Sequence, residues 1–169
     1  MADHTPLIRP LLSDEWPLYR DLRLRALRDS PDAYGSILDI EAALTDAEWA
    51  ERLARGVYSA NELPLTAECD GEHCGLAWVK LAAASAESAH LYQMWVAVGH
   101  RRRGVGRALV DVAAAWARRM GAPHLELDVT SNNDAAVRLY EGAGFETYGE
   151  RRPLRPGSTL EAQRMRRML

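Results

Sequence analysis

Arg101-Arg102-Arg103-Gly104-Val105-Gly106-Arg107 is the stretch that decides how this chain is read. It follows an apolar segment, His90 to Val98, and opens a helical pattern that runs from Gly104 to Met120. A strand, a glycine-spaced turn and a helix, in that order, present unpaired backbone N–H groups to a phosphate. Two glycines at this spacing let the main chain approach a pyrophosphate where a Cβ would collide. The helix N-terminus adds about 0.3–1 kcal/mol per anion contact, and three flanking arginines supply forked donors for phosphate oxygens. The segment reads as a diphosphate cradle. It lacks the Gly-Lys-Ser/Thr ending of a Walker A loop and the third glycine of a dinucleotide fingerprint. Taken alone, it also fits a solvated basic turn at the head of an ordinary helix.

Outward from the cradle, the pattern alternates between two periods. Leu109, Val112, Ala113, Trp116 and Met120 form one helical stripe, which Gly121-Ala122-Pro123 ends. From His124 to Val129 the period is two, with Leu125, Leu127 and Val129 on one face and Glu126 and Asp128 on the other. Asn133 to Ala143 is a second helical pattern, closed by Gly142 and Gly144; Phe145–Arg151 and Thr159–Leu169 read as closing strands. Toward the N-terminus, Leu7–Leu12 reads as a strand, and Ser13-Asp14-Glu15-Trp16 as an N-cap with an acidic first turn. The helix behind it breaks near Ser30-Pro31, and a loop through Asp32-Ala33-Tyr34-Gly35-Ser36 leads to a helix over Thr45–Arg55. Leu63–Cys69 and Cys74–Ala83 make a hairpin around Asp70-Gly71-Glu72-His73, and Ala89–Val98 is a further strand. Strand, two helices, hairpin, then strand–helix–strand–helix–strand describes one mixed α/β domain over residues 1–169.

Composition narrows the functional classes. The chain has 169 residues, a net charge of −3 and an apolar fraction of 47%, as an ordinary globular protein does. That charge gives no broad basic field, so no nucleic-acid partner is expected. No apolar run approaches the roughly 18 residues of a membrane span. Met1-Ala2-Asp3-His4-Thr5-Pro6 shows no basic region ahead of an apolar core, so a cytoplasmic protein is expected. Cys69 and Cys74 flank a turn; with His73 they lack the further ligands a metal needs, so reduced thiols and no metal are expected.

Three motifs now stand in sequence: Met94-Trp95-Val96 ahead of Arg101-Arg102-Arg103-Gly104-Val105-Gly106, the strand Leu125–Val129 with Asp128, and Asn133-Asp134-Ala135-Ala136-Val137-Arg138-Leu139-Tyr140 closed by Gly144-Phe145. Together they resemble the GNAT acetyltransferase superfamily over Leu91–Glu150. That family has an Arg/Gln-x-x-Gly-x-Gly/Ala loop and a downstream Asn-x-x-Ala-x-x-Leu-Tyr helix. Val98 stands where the family often has proline. The resemblance implies a mixed, mostly antiparallel sheet of about seven strands, with a splayed parallel pair and helices on both faces.

The resemblance also implies acetyl-CoA as donor. Its pyrophosphate would lie on the loop of Arg101, Arg102, Arg103, Gly104, Val105, Gly106 and Arg107. Its pantetheine arm would pair with the main chain of Met94, Trp95 and Val96, where an N–H would also hold the developing oxyanion. Tyr140 stands where the family keeps its general acid. Phenol-to-thiolate proton transfer is uphill by roughly 2 kcal/mol at reference values, a gap that local tuning would have to close. Asn133 resembles the residue that orients the cofactor arm or the substrate backbone, and it also fits a helix N-cap.

Asp128 matches by spacing the acid of the ribosomal-protein N-terminal acetyltransferase branch; Glu126 or water alone are the other candidate bases. Deprotonating an α-amine at pH 7 costs roughly 1 kcal/mol and a lysine-like amine roughly 4.6 kcal/mol, so a weak base serves only the first. The acceptor is a small-molecule amine or a peptide or protein N-terminus, chosen by the loops Ser30–Glu41 and Arg152–Ser158, where Asp32, Tyr34, Asp39 and Glu41 are candidate cation receivers. Direct transfer in a ternary complex is expected, since neither cysteine lies in the motifs. A longer acyl chain, and a homodimer paired through the C-terminal strand, stay open. The alternative is a non-catalytic acyl-CoA-binding or regulatory module.

Overall fold

The computed structural model describes residues 5–82 and 87–169. Ala83, the expected end of the strand from Cys74, lies outside them, as do Met1 to His4. Seven strands form one sheet: β1 (Leu7–Pro10), β2 (Glu62–Cys69), β3 (Glu72–Leu81), β4 (Ala89–Val96), β5 (His124–Thr130), β6 (Glu146–Pro153) and β7 (Glu161–Met168), in the order β1-β2-β3-β4-β5-β7-β6. Every neighbouring pair is antiparallel except β4 with β5. The C-terminal strand β7 is bonded on both sides, so it has no open edge for a partner; the edge strands are β1 and β6.

Among the described residues five α-helices accompany the sheet: α1 (Trp16–Asp29), α2 (Leu38–Ala42), α3 (Asp46–Tyr58), α4 (Val105–Arg119) and α5 (Asp134–Gly142). Their ends follow local chemistry. Thr45 caps α3, accepting from the Glu48 N–H at 3.3 Å while the Glu48 carboxylate returns to the Thr45 N–H at 2.7 Å. Ser13 does not cap α1 as its position predicts. A short 3-10 turn, Ser13–Glu15, intervenes, and Glu15 caps the Leu12 N–H at 2.9 Å while the Ser13 hydroxyl meets that of Tyr58. The helix α2 lies where a loop is expected; five residues are too few for a periodic signal.

The helices cover both faces of the sheet, as β3 shows. A Cβ on Gly75 would lie 3.1 Å from Leu109 of α4, whereas Trp78 packs edge-on to Tyr19 of α1 and under Gly56 of α3. Three residues apart on a strand, these positions point to opposite sides. Leu109, Ala113, Trp116 and Ala117 bury the stripe of α4, while Met120 at its end is exposed. Among the described residues no helix is long and apolar enough to cross a membrane.

Candidate active site

The strands β4 and β5 pair only at Ala89 with Leu125 and at His90 with Glu126, and then part. On its other side, β4 pairs Leu76 with Trp95 and Trp78 with Tyr92, so one extra residue sits in β4 between Tyr92 and Trp95. Gln93 takes it up in the left-handed region at φ 53°, and the Tyr19 hydroxyl holds its side-chain carbonyl at 3.0 Å. The bulge leaves Gln93 and Met94 without register partners in β3. The parted strands open a cleft of about 910 Å³ whose lining includes Tyr34, Gln93, Met94, Asp128, Asn133 and Tyr140.

The cradle stands at the head of α4. Gly104 is its N-cap at φ 81°, a conformation that favours glycine, with no side chain capping the helix. A Cβ on Gly104 would meet nothing within 4 Å, so the positive φ and not crowding asks for glycine here, and the uncapped backbone N–H groups that follow are of the kind that receives an anion. Gly106 has a different reason from the expected one. A Cβ there would come 3.0 Å from Leu139 and 3.5 Å from Met94, so this glycine lets α5 and β4 close on the first turn of α4.

The arginines divide similarly. Arg101, though exposed, is tied to the protein, donating to the Val96 carbonyl at 2.8 Å and to the Asp29 carboxylate. Arg107 spans Asp111 and the Gly142 carbonyl, both at 2.8 Å, and ties α4 to the end of α5. Arg102, at φ 60°, and Arg103 are exposed on the turn.

Tyr140 is 7% exposed, edge-on to Phe145 at 5.8 Å, and lines the cleft. Burial, with a smaller contribution from the nearby Tyr34, pushes its pKa well above the ordinary phenol value. Tuning in the ligand-free protein therefore widens the gap to a departing thiolate instead of closing it. Asn133 caps α5 through the Ala136 N–H at 3.2 Å and also lines the cleft, so the capping and cleft readings coincide.

Alternation on β5 holds: Leu125, Leu127 and Val129 are buried, while Asp128 is 36% exposed. Arg152 lies 3.2 Å, His90 Nε2 3.6 Å and Arg164 3.9 Å from its carboxylate. Burial lowers the His90 pKa against the opposing pull of Asp128, which keeps the imidazole a neutral proton acceptor near pH 7. Glu126 shares this face without lining the cleft.

Residues 14–145 match the model of the acetyltransferase (GNAT) family. The chain belongs to that family. Among curated relatives of this GNAT chain, a streptothricin acetyltransferase of Streptomyces lavendulae is 37% identical over 94 residues, which are 56% of this chain and 49% of the relative. A mycothiol acetyltransferase of Brachybacterium faecium is 30% identical over 152 residues, 83% of this chain and 46% of the relative. The chain thus spans less than half the length of either. A solved GNAT acetyltransferase of Streptococcus pneumoniae superposes with a TM-score of 0.82 at 24% identity, covering 98% of this chain and 99% of the other; the fold is shared.

Within this GNAT fold the two loops expected to choose the acceptor meet. Arg155 donates to the Tyr34 carbonyl at 3.0 Å, and the Tyr34 hydroxyl donates to the Met94 carbonyl at 2.9 Å. Glu41, expected as a cation receiver, is buried and already taken by Arg23 at 3.1 Å and Arg52 at 3.3 Å. Asp32 and Asp39 are exposed and do not line the cleft. Sequence reasoning missed His90, Gln93 and Arg152. His90 carried a weak signal, since it lies near the start of the strand that leads to the cradle; the bulge at Gln93 carried none.

Proposed function

We propose that this chain moves the acetyl group of acetyl-CoA to a primary amine by direct transfer in a ternary complex. One observation carries the reading: the parted ends of β4 and β5 open one cleft lined by the bulge at Gln93 and Met94 and by the buried Tyr140, with the uncapped N-terminus of α4 following β4. Backbone N–H groups from Arg102 to Arg107 receive the diphosphate, helped by the side chains of Arg102 and Arg103, while Arg101 holds the turn's shape. Main-chain groups of Met94, Trp95 and Val96 take the pantetheine arm and the developing oxyanion. Asn133 orients the arm while capping α5.

The amine nitrogen attacks the thioester carbonyl carbon and the C–S bond breaks. Tyr140 gives its hydroxyl proton to the departing sulfur. Its raised pKa matches a leaving thiolate that enters the same low-dielectric surroundings, where the thiol form is favoured too. The amine's proton passes through water to the carboxylate–imidazole pair of Asp128 and His90. A carboxylate of this kind suffices to take the proton of an α-amine, whose deprotonation at pH 7 costs roughly 1 kcal/mol, and is strained by a lysine-like amine. Cys69 and Cys74 are buried and do not line the cleft, which supports transfer without an acyl-cysteine. The acceptor is a small molecule or a peptide N-terminus, and the setting is cytoplasmic.

Calorimetric titration with acetyl-CoA tests the donor site. Wild-type binding that disappears in the Arg102→Glu/Gly104→Glu variant supports the loop assignment. A folded wild-type protein that binds no acetyl-CoA overturns the reading. Tight binding with no turnover on any amine favours the non-catalytic module.

A further inference from the structure

The cleft carries a charge pattern that the family resemblance does not explain. Its lining includes five cationic side chains, Arg23, Arg52, Arg55, Lys80 and Arg152, against three carboxylates, Glu41, Glu62 and Asp128. Each of those carboxylates is already engaged. Glu41 is shared by Arg23 and Arg52, and Glu62 holds Lys80 at 3.1 Å and the Trp78 indole N–H at 2.9 Å. Asp128 faces Arg152, Arg164 and His90. A polycationic acceptor would need carboxylates that are still uncompensated, and this lining offers none among the described residues.

Cations, in contrast, are in surplus. Arg52 is preorganised, its guanidinium stacked over Trp49 at 5.0 Å and tethered to Glu41 at one nitrogen. One turn along α3, Arg55 is exposed at the same wall. Behind them Arg23, with a side chain only 3% exposed, uses Nε and Nη2 on Glu41 and leaves Nη1 buried with no acceptor. A guanidinium held this way, with the two N–H groups of Nη1 unsatisfied at the wall of a cleft, is a site prepared for an oxygen anion.

Resting on the transferase reading above, we propose that the acceptor is an amine on a molecule that also bears a carboxylate. The carboxylate sits against Arg52 and Arg55, with Arg23 behind them, and the amine is directed toward Asp128 and Tyr140. The same arrangement repels a polyamine, whose second and third ammonium groups would face the surplus positive charge of Arg55 and of the two arginines that share Glu41.

The test compares acetylation of the twenty amino acids with that of their α-carboxamides, with spermidine as the polycation, after acetyl-CoA binding has been verified by calorimetry. The expected result is a kcat/KM at least about tenfold higher for the best free acid than for its carboxamide, with spermidine poorer still. The exposed Arg55→Gln variant should lower that ratio several-fold by raising KM for the acid. Equal or faster turnover of carboxamides or spermidine overturns the inference and leaves the transferase reading intact. So does acetyl-CoA binding with turnover of other amines but of no carboxylate-bearing one. A wild-type protein that fails to bind acetyl-CoA instead removes the transferase reading beneath it.

Discussion

Trp95 donates its indole N–H to Asp29 over 3.0 Å, and the Arg101 guanidinium closes on the same carboxylate oxygen. The last residue of α1 thereby anchors both the end of β4 and the first residue of the cradle. Partial burial would raise the Asp29 pKa, but the bonds from Trp95, Ser30 and Arg101 outweigh it, and the carboxyl titrates below its usual range. Asp29→Ala should loosen the turn without touching the donor. We expect acetyl-CoA affinity to fall about tenfold, near 1.4 kcal/mol, with Tm lower by several degrees. Unchanged calorimetric affinity would show that the turn holds its shape without this anchor.

Tyr140→Phe removes the proposed acid and keeps the ring against Phe145. The kcat should fall by about 10²-fold with little change in acetyl-CoA affinity. Because burial raises the Tyr140 pKa, its hydroxyl stays protonated well beyond pH 9, so no loss of wild-type rate between about pH 7 and pH 9 should trace to it. Steady-state profiles of both proteins decide this, and a drop smaller than twofold would remove Tyr140 from the chemistry.

Arg23 and Glu41 are a buried ion pair at 3.1 Å, with side chains 3% and 9% exposed. Burial alone would raise the Glu41 pKa, yet the bonds and charges of Arg23 and Arg52 prevail and lower it below 4.5. The stability from this shift is present above pH 4.5 and is lost as pH falls through the folded-state value. Glu41→Gln leaves a buried guanidinium uncompensated and should cost about 3–5 kcal/mol at pH 7. Its unfolding should also lose part of the acid sensitivity of the wild type, which urea titrations at about pH 7 and pH 4 measure.

A Cβ on Gly56 would fall 2.1 Å from Trp78 Cζ2 and 2.7 Å from Cη2. The Trp78 ring is buried and tied to Glu62, so it has little room to move. Gly56→Ala should destabilise by about 1–3 kcal/mol of overpacking, set against a gain of about 1 kcal/mol in helix propensity. Gly142→Ala, whose Cβ meets nothing within 4 Å, is the matched control and should be neutral or slightly stabilising. Similar denaturation midpoints for the two variants would refute the packing argument.

Cys74 lies 3.3 Å from Cys69, both buried as thiols. Burial first, and the bond to Cys69 next, push the Cys74 pKa up to about 12. With almost no thiolate at pH 8, Cys74 should resist iodoacetamide in the folded protein and react promptly in denaturant. Mass spectrometry of the native sample reads this directly; rapid native alkylation would mean that the hairpin opens.

Most of the architecture was legible in the sequence because it rests on local period and local punctuation. The alternation of Leu125, Leu127 and Val129 marked β5, the stripe from Leu109 to Trp116 marked α4, and Asn133 and Thr45 marked helix starts. Where such signals were short or competing, the reading failed. The five residues of α2 fall below one clear period, and the Glu15 carboxylate took the cap that Ser13 was expected to supply.

By itself, then, the sequence determined the order of elements, the glycine turn ahead of α4 and the placement of Tyr140 and Asn133 on the helix after β5. Those features depend on residues within a few turns of one another. Only the tertiary structure decided that Gln93 bulges from β4, that Arg101 serves Asp29, that Gly106 makes room for Leu139, and that the cleft's carboxylates are compensated before any acceptor arrives. Each of these joins groups tens of residues apart, except at β4, where the bulge follows from a register set by its neighbouring strand. Charge and hydrogen bonding act on distance in space, and a one-dimensional pattern carries that distance only where the chain has not yet turned back on itself.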